Sequence, residues 1–349
     1  MPEEVQEHGI GPSTALVARC ETPANPRFSA QSNLAAEAGS ARPPKQVPIS
    51  VVIPAYNAEA FICRAIESAL CQSLPAAEVL VVDDGSHDRT AKLAEAYDPR
   101  VRVIRKANGG PASARNAGIR RANSEWIALL DADDFWLPNK LEKQVRLIEP
   151  GVALVHTGAV GRGNDFPAQN TFQELWSRNY ISNSSVLLLR RAFDSIGGFD
   201  EDPALIGLED YNLWLKIAAA GWKICGIAEE LMVYAPPANS LSHRLLRSTT
   251  PEMVNAIKIA ALLRLSVDEL LRKELTVLDQ HGRDLLSVRE LKQARACFRE
   301  ALQRQRNVRR AWWWLATWMP ISVLNWRRIL LHGRSGARKD TTATLANIS

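Results

Sequence analysis

The chain has 349 residues, a formal net charge of +5, 46% hydrophobic and 23% charged residues, proportions that exclude a disordered or fibrous chain. Its basicity is local: residues 281–340 hold 14 Arg and Lys against 4 Asp and Glu. No basic face therefore surrounds the candidate site, and a nucleic-acid partner is not expected. Five cysteines without C-x-x-C spacing argue against a zinc site or disulfide framework and for a reducing compartment. No basic patch followed by an apolar region opens the sequence, and no uninterrupted apolar run reaches the roughly 20 residues of a bilayer span.

Residues 1–47 are rich in Ala, Pro, Ser, Glu and Gln without periodicity, the pattern of a disordered leader. From Pro48 the character changes. Ile49-Ser-Val-Val-Ile53 reads as a buried strand broken by Pro54 and Asn57, and Glu59–Gln72 as a helix. The unit then repeats. Glu78–Val82 is a second strand, closed by Asp83-Asp84-Gly85-Ser86, with Ser86 placed to cap a helix over Asp88–Tyr97. Val101–Ile104 is a third strand and Pro111–Ala122 a third helix. A fourth strand starts at Trp126 and ends in Asp131, Asp133 and Asp134. Alternating strands and helices imply a parallel sheet with right-handed crossovers. Ligands of such sheets sit beyond the carboxyl ends of the strands, where Asn57, Asp83, Asp84, Asn108 and Asp131 all fall.

Like charges packed at a strand end call for a cation, and in extended chain Asp131 and Asp133 project to one side. The first strand end holds Pro54-Ala-Tyr-Asn57 in place of G-x-G-x-x-G, and no strand end carries G-x-x-x-x-G-K-[ST], so dinucleotide hydride transfer and P-loop chemistry lose their support. Carboxylates, the ring of Tyr56 and Arg115 suit a nucleotide diphosphate held through a divalent cation.

Val-Val-Ile-Pro-Ala-Tyr-Asn57, Val-Val-Asp-Asp-Gly-Ser86, Ala-Ser-Ala-Arg-Asn-Ala-Gly118 and Leu-Leu-Asp-Ala-Asp-Asp134, in this order, resemble an inverting family 2 glycosyltransferase of the GT-A fold. The resemblance covers residues 48–240. It implies an α/β architecture, a Rossmann-like, mixed but mainly parallel sheet flanked by helices. Residues 48–135 would form the nucleotide-binding half and 136–240 the acceptor half. It further implies that Pro54, Tyr56, Asn57, Asp83, Asp84 and Arg115 hold the nucleoside, that Asp131 contacts the ribose and metal region, and that Asp133 is the principal ligand of Mg2+ or Mn2+.

In the acceptor half, Val152–Val155 and Ser185–Leu189 read as strands, and Gly161–Asn170 as a mobile surface loop. Ile196-Gly-Gly-Phe-Asp200 and Leu208-Glu-Asp-Tyr-Asn-Leu-Trp214 resemble the family's acceptor loop and the Glu-Asp pair that opens a helix. Asp210 is the candidate general base, with Glu209 orienting it or touching substrate. First-turn acids stabilised by a helix dipole are the plainer reading of the same pair. The family's further metal-ligating His falls where this chain has Pro237, which leaves His243 as a weak substitute.

Residues 241–349 form a helical, basic, Trp-rich region. Ala294, Phe298, Ala301 and Leu302 make one stripe, faintly like a single tetratricopeptide unit, and packing against the catalytic domain is its expected role. Ala311–Trp326 is uncharged, holds five of the ten tryptophans and is bounded by Arg pairs, which suits the headgroup boundary of an anionic membrane; a partner-protein patch is the competing reading. The expected function is transfer of a sugar from a nucleoside-diphosphate donor, a UDP-sugar, to a glycan or lipid-linked acceptor, in the cytoplasm at the inner face of the membrane. A nucleotidyltransferase and a non-catalytic sugar-nucleotide-binding scaffold are the alternatives.

Overall fold

The computed structural model describes residues 47–236 and 249–319. Residues 1–46 of the expected leader, His243, Pro237 and the segment from Pro320 through Trp326 lie outside the described residues, while Val47 is described and packs against the core. Among the described residues nine strands form one sheet, and the order is β3-β2-β1-β4-β8-β6-β9-β5, with β7 on the β9 edge. The strands are β1 (Ile49–Ala55), β2 (Glu78–Asp83), β3 (Val101–Arg105), β4 (Trp126–Leu129), β5 (Phe135–Trp136), β6 (Val152–Val160), β7 (Gln169–Asn170), β8 (Leu187–Leu189) and β9 (Lys223–Val233). β1, β2, β3 and β4 pair in parallel, β8 runs antiparallel between β4 and β6, and β6 pairs in parallel with β9. The sheet is therefore mixed, as the sequence leads one to expect.

β1, β2 and β4 read as unbroken apolar runs because both faces are covered: Val51, Val52, Ile53, Leu80, Val81, Ile127 and Leu129 are all buried. The covering helices are α1 (Ile62–Leu70), α2 (Thr90–Tyr97) and α3 (Gly110–Arg121). Pro54 does not end β1, which continues to Ala55. Pairing with β4 stops at Val52, so the missing N–H of proline breaks no bond on that side. Ser86 caps no helix: α2 begins four residues later, and Asp88 Oδ1 accepts from Thr90 N at 2.9 Å. Gly118 lets α3 lie against the sheet, because a Cβ there would come within 2.5 Å of Val52 Cγ1.

The second half adds α4 (Lys140–Val145), α5 (Phe172–Ser177), α6 (Arg190–Ser195) and α7 (Glu209–Ala219). Gly161–Asn170 is not loop throughout, since Gln169–Asn170 forms β7 on the edge of β9. Among the described residues four more helices follow: α8 (Thr250–Leu263), α9 (Val267–Ser287), α10 (Leu291–Arg304) and α11 (Val308–Ala316). α8 ties to the sheet domain through Asn212 Nδ2 donating to Asn255 Oδ1 at 2.8 Å, and through Lys258, which bridges Asp200 and Asp202 at 2.8 and 2.7 Å. α9 and α10 enclose Leu275, Leu278 and Ala301, with Leu285, Ala294 and Phe298 beside them.

The tryptophan segment divides. Trp313 stacks on Phe298 with ring centroids 6.3 Å apart, and Arg295 lies 3.5 Å over the Trp318 ring. Trp313 and Trp314 pack against the helical core, while Trp312, Leu315 and Trp318 are exposed at three-residue spacing along and just beyond α11. Among the described residues no helix is long and apolar enough to cross a membrane.

Candidate active site

The parallel strands end in a crevice whose centre is one guanidinium. Arg115, on α3, is 6% exposed. Its Nη2 donates to Asp131 Oδ1 at 2.8 Å and its Nη1 to Glu209 Oε1 at 2.5 Å, joining the end of β4 to the start of α7. Two carboxylates hold the guanidinium further into its charged range. Glu209 is spent in this way, since its Oε2 also accepts from Gly207 N. It therefore fixes Arg115 and the turn before α7.

Beside it, Asp210 Oδ1 accepts from Tyr211 N at 2.6 Å. Burial, then the charge of Glu209, push its carboxyl up to about 7 against the pull of Arg115 and Arg162. Such a group is poised to take a proton near neutrality. Arg162 reaches this side from the loop after β6, donating to Ser182 Oγ at 3.3 Å and lying 4.3 Å over the Tyr234 ring.

The acids after β4 do not continue the strand. Asp134 N donates to Asp131 O at 3.1 Å, so Asp131–Asp134 is a tight turn, and the alternation that put Asp131 and Asp133 on one side of an extended chain does not apply. They still crowd one another. Burial and then Asp131 raise the Asp133 carboxyl to about 6, and burial with Asp131 and Asp133 raises Asp134 to about 7.

Asp134 is anchored, with Oδ2 accepting from Ser184 Oγ at 2.6 Å and Oδ1 from Ala235 N at 3.0 Å. Ser184 also accepts from Asp131 N, and Asn183 Nδ2 donates to Asp131 Oδ1 at 2.9 Å. Asn183 and Ser184 escape the sequence reading, which started a strand at Ser185. The polar quartet Ser182-Asn-Ser-Ser185 before the apolar quartet Val186-Leu-Leu-Leu189 was the available signal.

The donor-side residues divide by what they already hold. Tyr56 is 49% exposed, edge-on to His87, with its ring open to a base. Asn57 adopts φ 49° and clasps the neighbouring loop: its N donates to Ser86 Oγ and its Oδ1 accepts from His87 N. Asp83 is buried and accepts from Ser86 N at 3.2 Å. Asp84 is committed to the protein, taking Lys106 Nζ at 2.5 Å and the amides of Gly109 and Gly110. It shapes the loop that opens α3. Asn116 clips the acceptor-side loop to α3, donating to Phe199 O at 2.9 Å and accepting from Phe199 N at 3.0 Å.

Among the described residues no group of three His, Cys, Asp or Glu is arranged to hold an ion. A Mg2+ or Mn2+ that shares phosphate oxygens with a nucleotide needs only one or two protein carboxylates. Asp131 and Asp133 are the candidates for that role: the side-chain hydrogen bonds of Asp131 fall on Oδ1, and burial, then the charge of Asp131, raise the Asp133 carboxyl against the pull of Arg115 and Arg64. Arg115 Nε and Asn183 Oδ1 are buried without hydrogen-bond partners.

The sequence profile described as "Glycosyl transferase family 2" matches residues 50–199. The putative teichuronic acid biosynthesis glycosyltransferase TuaG of Bacillus subtilis is 31% identical over 208 residues, covering 56% of this chain and 81% of that protein. Chondroitin synthase of Escherichia coli is 32% identical over 190 residues, 51% of this chain and 27% of that one. The chain spans 31 to 58% of the length of the Rickettsia glycosyltransferases it also matches. Among solved structures, mannosyltransferase PcManGT from Pyrobaculum calidifontis, in complex with GDP-Man and Mn2+, shares 20% identity at a TM-score of 0.57, covering 84% of this chain and 83% of that chain. S. aureus TarS 1–349 in complex with UDP-GlcNAc shares 19% at 0.54, covering 74% and 81%. The fold is that of the GT-A-like glycosyltransferases, and the chain belongs to glycosyltransferase family 2.

Proposed function

We propose that this chain transfers a sugar, with inversion, from a nucleoside diphosphate, a UDP-sugar, to a hydroxyl of a glycan or lipid-linked acceptor. The observation that carries the reading is the Arg115 fork, which ties the donor-side acid Asp131 to the helix start that presents Asp210. Tyr56 offers its ring to the base, and Asp83 offers an acceptor edge. The acceptor oxygen attacks the anomeric carbon, the carbon–phosphate-oxygen bond breaks, and the nucleoside diphosphate leaves with the bonding pair. Asp210 takes the hydroxyl proton. When bound, a divalent cation on Asp133 and Asp131 supplies positive charge to the leaving diphosphate. The neighbours that hold UDP-GlcNAc or GDP-Man and Mn2+ support a nucleotide-sugar donor and such an ion.

Product analysis tests this. Incubation with UDP-sugars and Mn2+ is expected to release UDP. Release of pyrophosphate would overturn the reading in favour of nucleotidyl transfer, and donor binding without turnover under any metal would reduce the protein to a sugar-nucleotide-binding scaffold.

We further propose that the C-terminal helices bring the crevice to the inner face of the cell membrane. Trp312, Leu315 and Trp318 are exposed beside Arg306 and Arg309, a composition suited to an anionic headgroup layer. Sedimentation with phosphatidylglycerol vesicles is expected, and with phosphatidylcholine vesicles not. Trp312→Ser with Trp318→Ser should abolish it, and equal binding to both lipids would refute the idea.

A further inference from the structure

A second cavity lies away from the crevice. It is an open groove of about 600 Å³ between α5, the C-terminal ends of α7 and α8, and α9, within the roughly 300–1,000 Å³ of ligand pockets. Ala218 and Ala219 of α7 form part of its wall. Asp210 stands eight or nine residues earlier on that helix, about 12–14 Å away along its axis. The groove is therefore outside the reacting centre and on the same face-to-face contact of α5 with α7, where Tyr211 OH donates to Leu175 O at 2.6 Å.

Its lining joins two chemistries. Phe172 and Trp176 stack with centroids 5.7 Å apart and planes 17° from parallel, an aromatic shelf whose negative face suits the C–H face of a sugar ring. Gln173 and Thr276 add polar atoms, and Arg272 and Lys273 add two cations from α9. Lys273 is only 3% exposed. Its ammonium has long bonds, 3.2 Å to Tyr211 Oη and 3.4 Å to Glu252 Oε1, and lies 5.5 Å from the Trp176 ring centre. Burial lowers its pKa, and the ion pair with Glu252 opposes that shift. Glu269 on the rim is committed to the capping box of Ser266.

We infer that this groove is a second glycan site, binding an anionic stretch of the acceptor chain while its reacting end occupies the crevice. The inference rests on the glycosyltransferase reading for the role of its ligand. A carboxylate or phosphate on the glycan meets Arg272 and Lys273, and a sugar ring lies on Trp176.

Calorimetry on the full chain tests it, with hexameric oligogalacturonate as the anionic probe and maltohexaose as the neutral one. Oligogalacturonate is expected to bind, maltohexaose at least tenfold more weakly, and saturating UDP to leave the oligogalacturonate bound. Arg272 is exposed, so Arg272→Glu changes the charge without disturbing packing, and it should weaken oligogalacturonate at least tenfold; Trp176→Ala should do the same. Absent binding, unchanged affinity in Arg272→Glu, equal binding of maltohexaose, or displacement by UDP would each overturn the inference. Failure of UDP to bind while oligogalacturonate does would instead sink the crevice reading and leave the groove standing.

Discussion

Asp210→Asn is expected to lower kcat by about 10²–10⁴-fold, the range lost with a general base, while UDP-sugar affinity stays within about twofold. The asparagine keeps the shape and an oxygen for the Tyr211 amide, so α7 starts as before. What it loses is the ability to receive the acceptor proton. The parent should show the complementary pH profile. Its carboxyl lies near 7 because burial and Glu209 oppose ionisation; with Asp210 as the proposed base the carboxylate is the active form, so kcat/KM should be level above about pH 8 and fall toward tenfold per unit below about 6.

Stability runs the other way. A carboxyl whose folded value lies above its unfolded one contributes stability below the unfolded value and loses it as pH rises through 7. Asp210→Asn removes that loss and should melt no lower than the parent at pH 8. Normal turnover by the variant, or a rate independent of pH between 5.5 and 8, would show that another group takes the proton.

The sequence exposes the first half of the fold because its strands are buried on both faces. Val51–Ile53, Leu80–Val82 and Ile127–Leu129 have to be apolar throughout, so each strand and the functional loop after it stand out. β9 does not. It is a long strand with exposed Glu229 and Glu230, and its pairing with β6 shifts register around Thr157 and Gly158. No period of two survives such irregularity.

At the site, the identity of the acids is visible in sequence but their division of labour is not. Asp84 and Asp134 read like ligands, yet Asp84 ties down the loop before α3 and Asp134 holds Ser184 and Ala235. Asn183 and Ser184 sit on a single turn, too short to leave a pattern. Lys273 is hidden differently, as a buried cation in a helix whose charged composition reads as solvated surface.

Arg115→Met should be the most damaging substitution for the fold and also end donor binding. The guanidinium separates Asp131 from Glu209, and removing it leaves two carboxylates, one of them 4% exposed, without their cation. Breaking a buried pair from one side costs about 3–5 kcal/mol, a fall in Tm on the order of 10 °C for a domain of this size. Met fills much of the same volume, so the loss reports charge rather than cavity. Arg115→Lys should rescue little, because one ammonium cannot reproduce two N–H bonds directed at separate carboxylates.

The decisive variant is Arg115→Met combined with Glu209→Gln. Neutralising the more deeply buried acid should return a large part of the stability, giving a coupling of 1 kcal/mol or more in a double-mutant cycle, while UDP-sugar binding and transfer stay lost. Additive costs in that cycle would mean that Arg115 serves packing alone. Recovered binding would mean that the guanidinium is not needed to hold donor-side and acceptor-side elements together. The expected result separates the two tasks proposed for one residue: a fold that needs only the charges of Arg115 and Glu209 to balance, and a transfer that would need the cation itself between Asp131 and the start of α7.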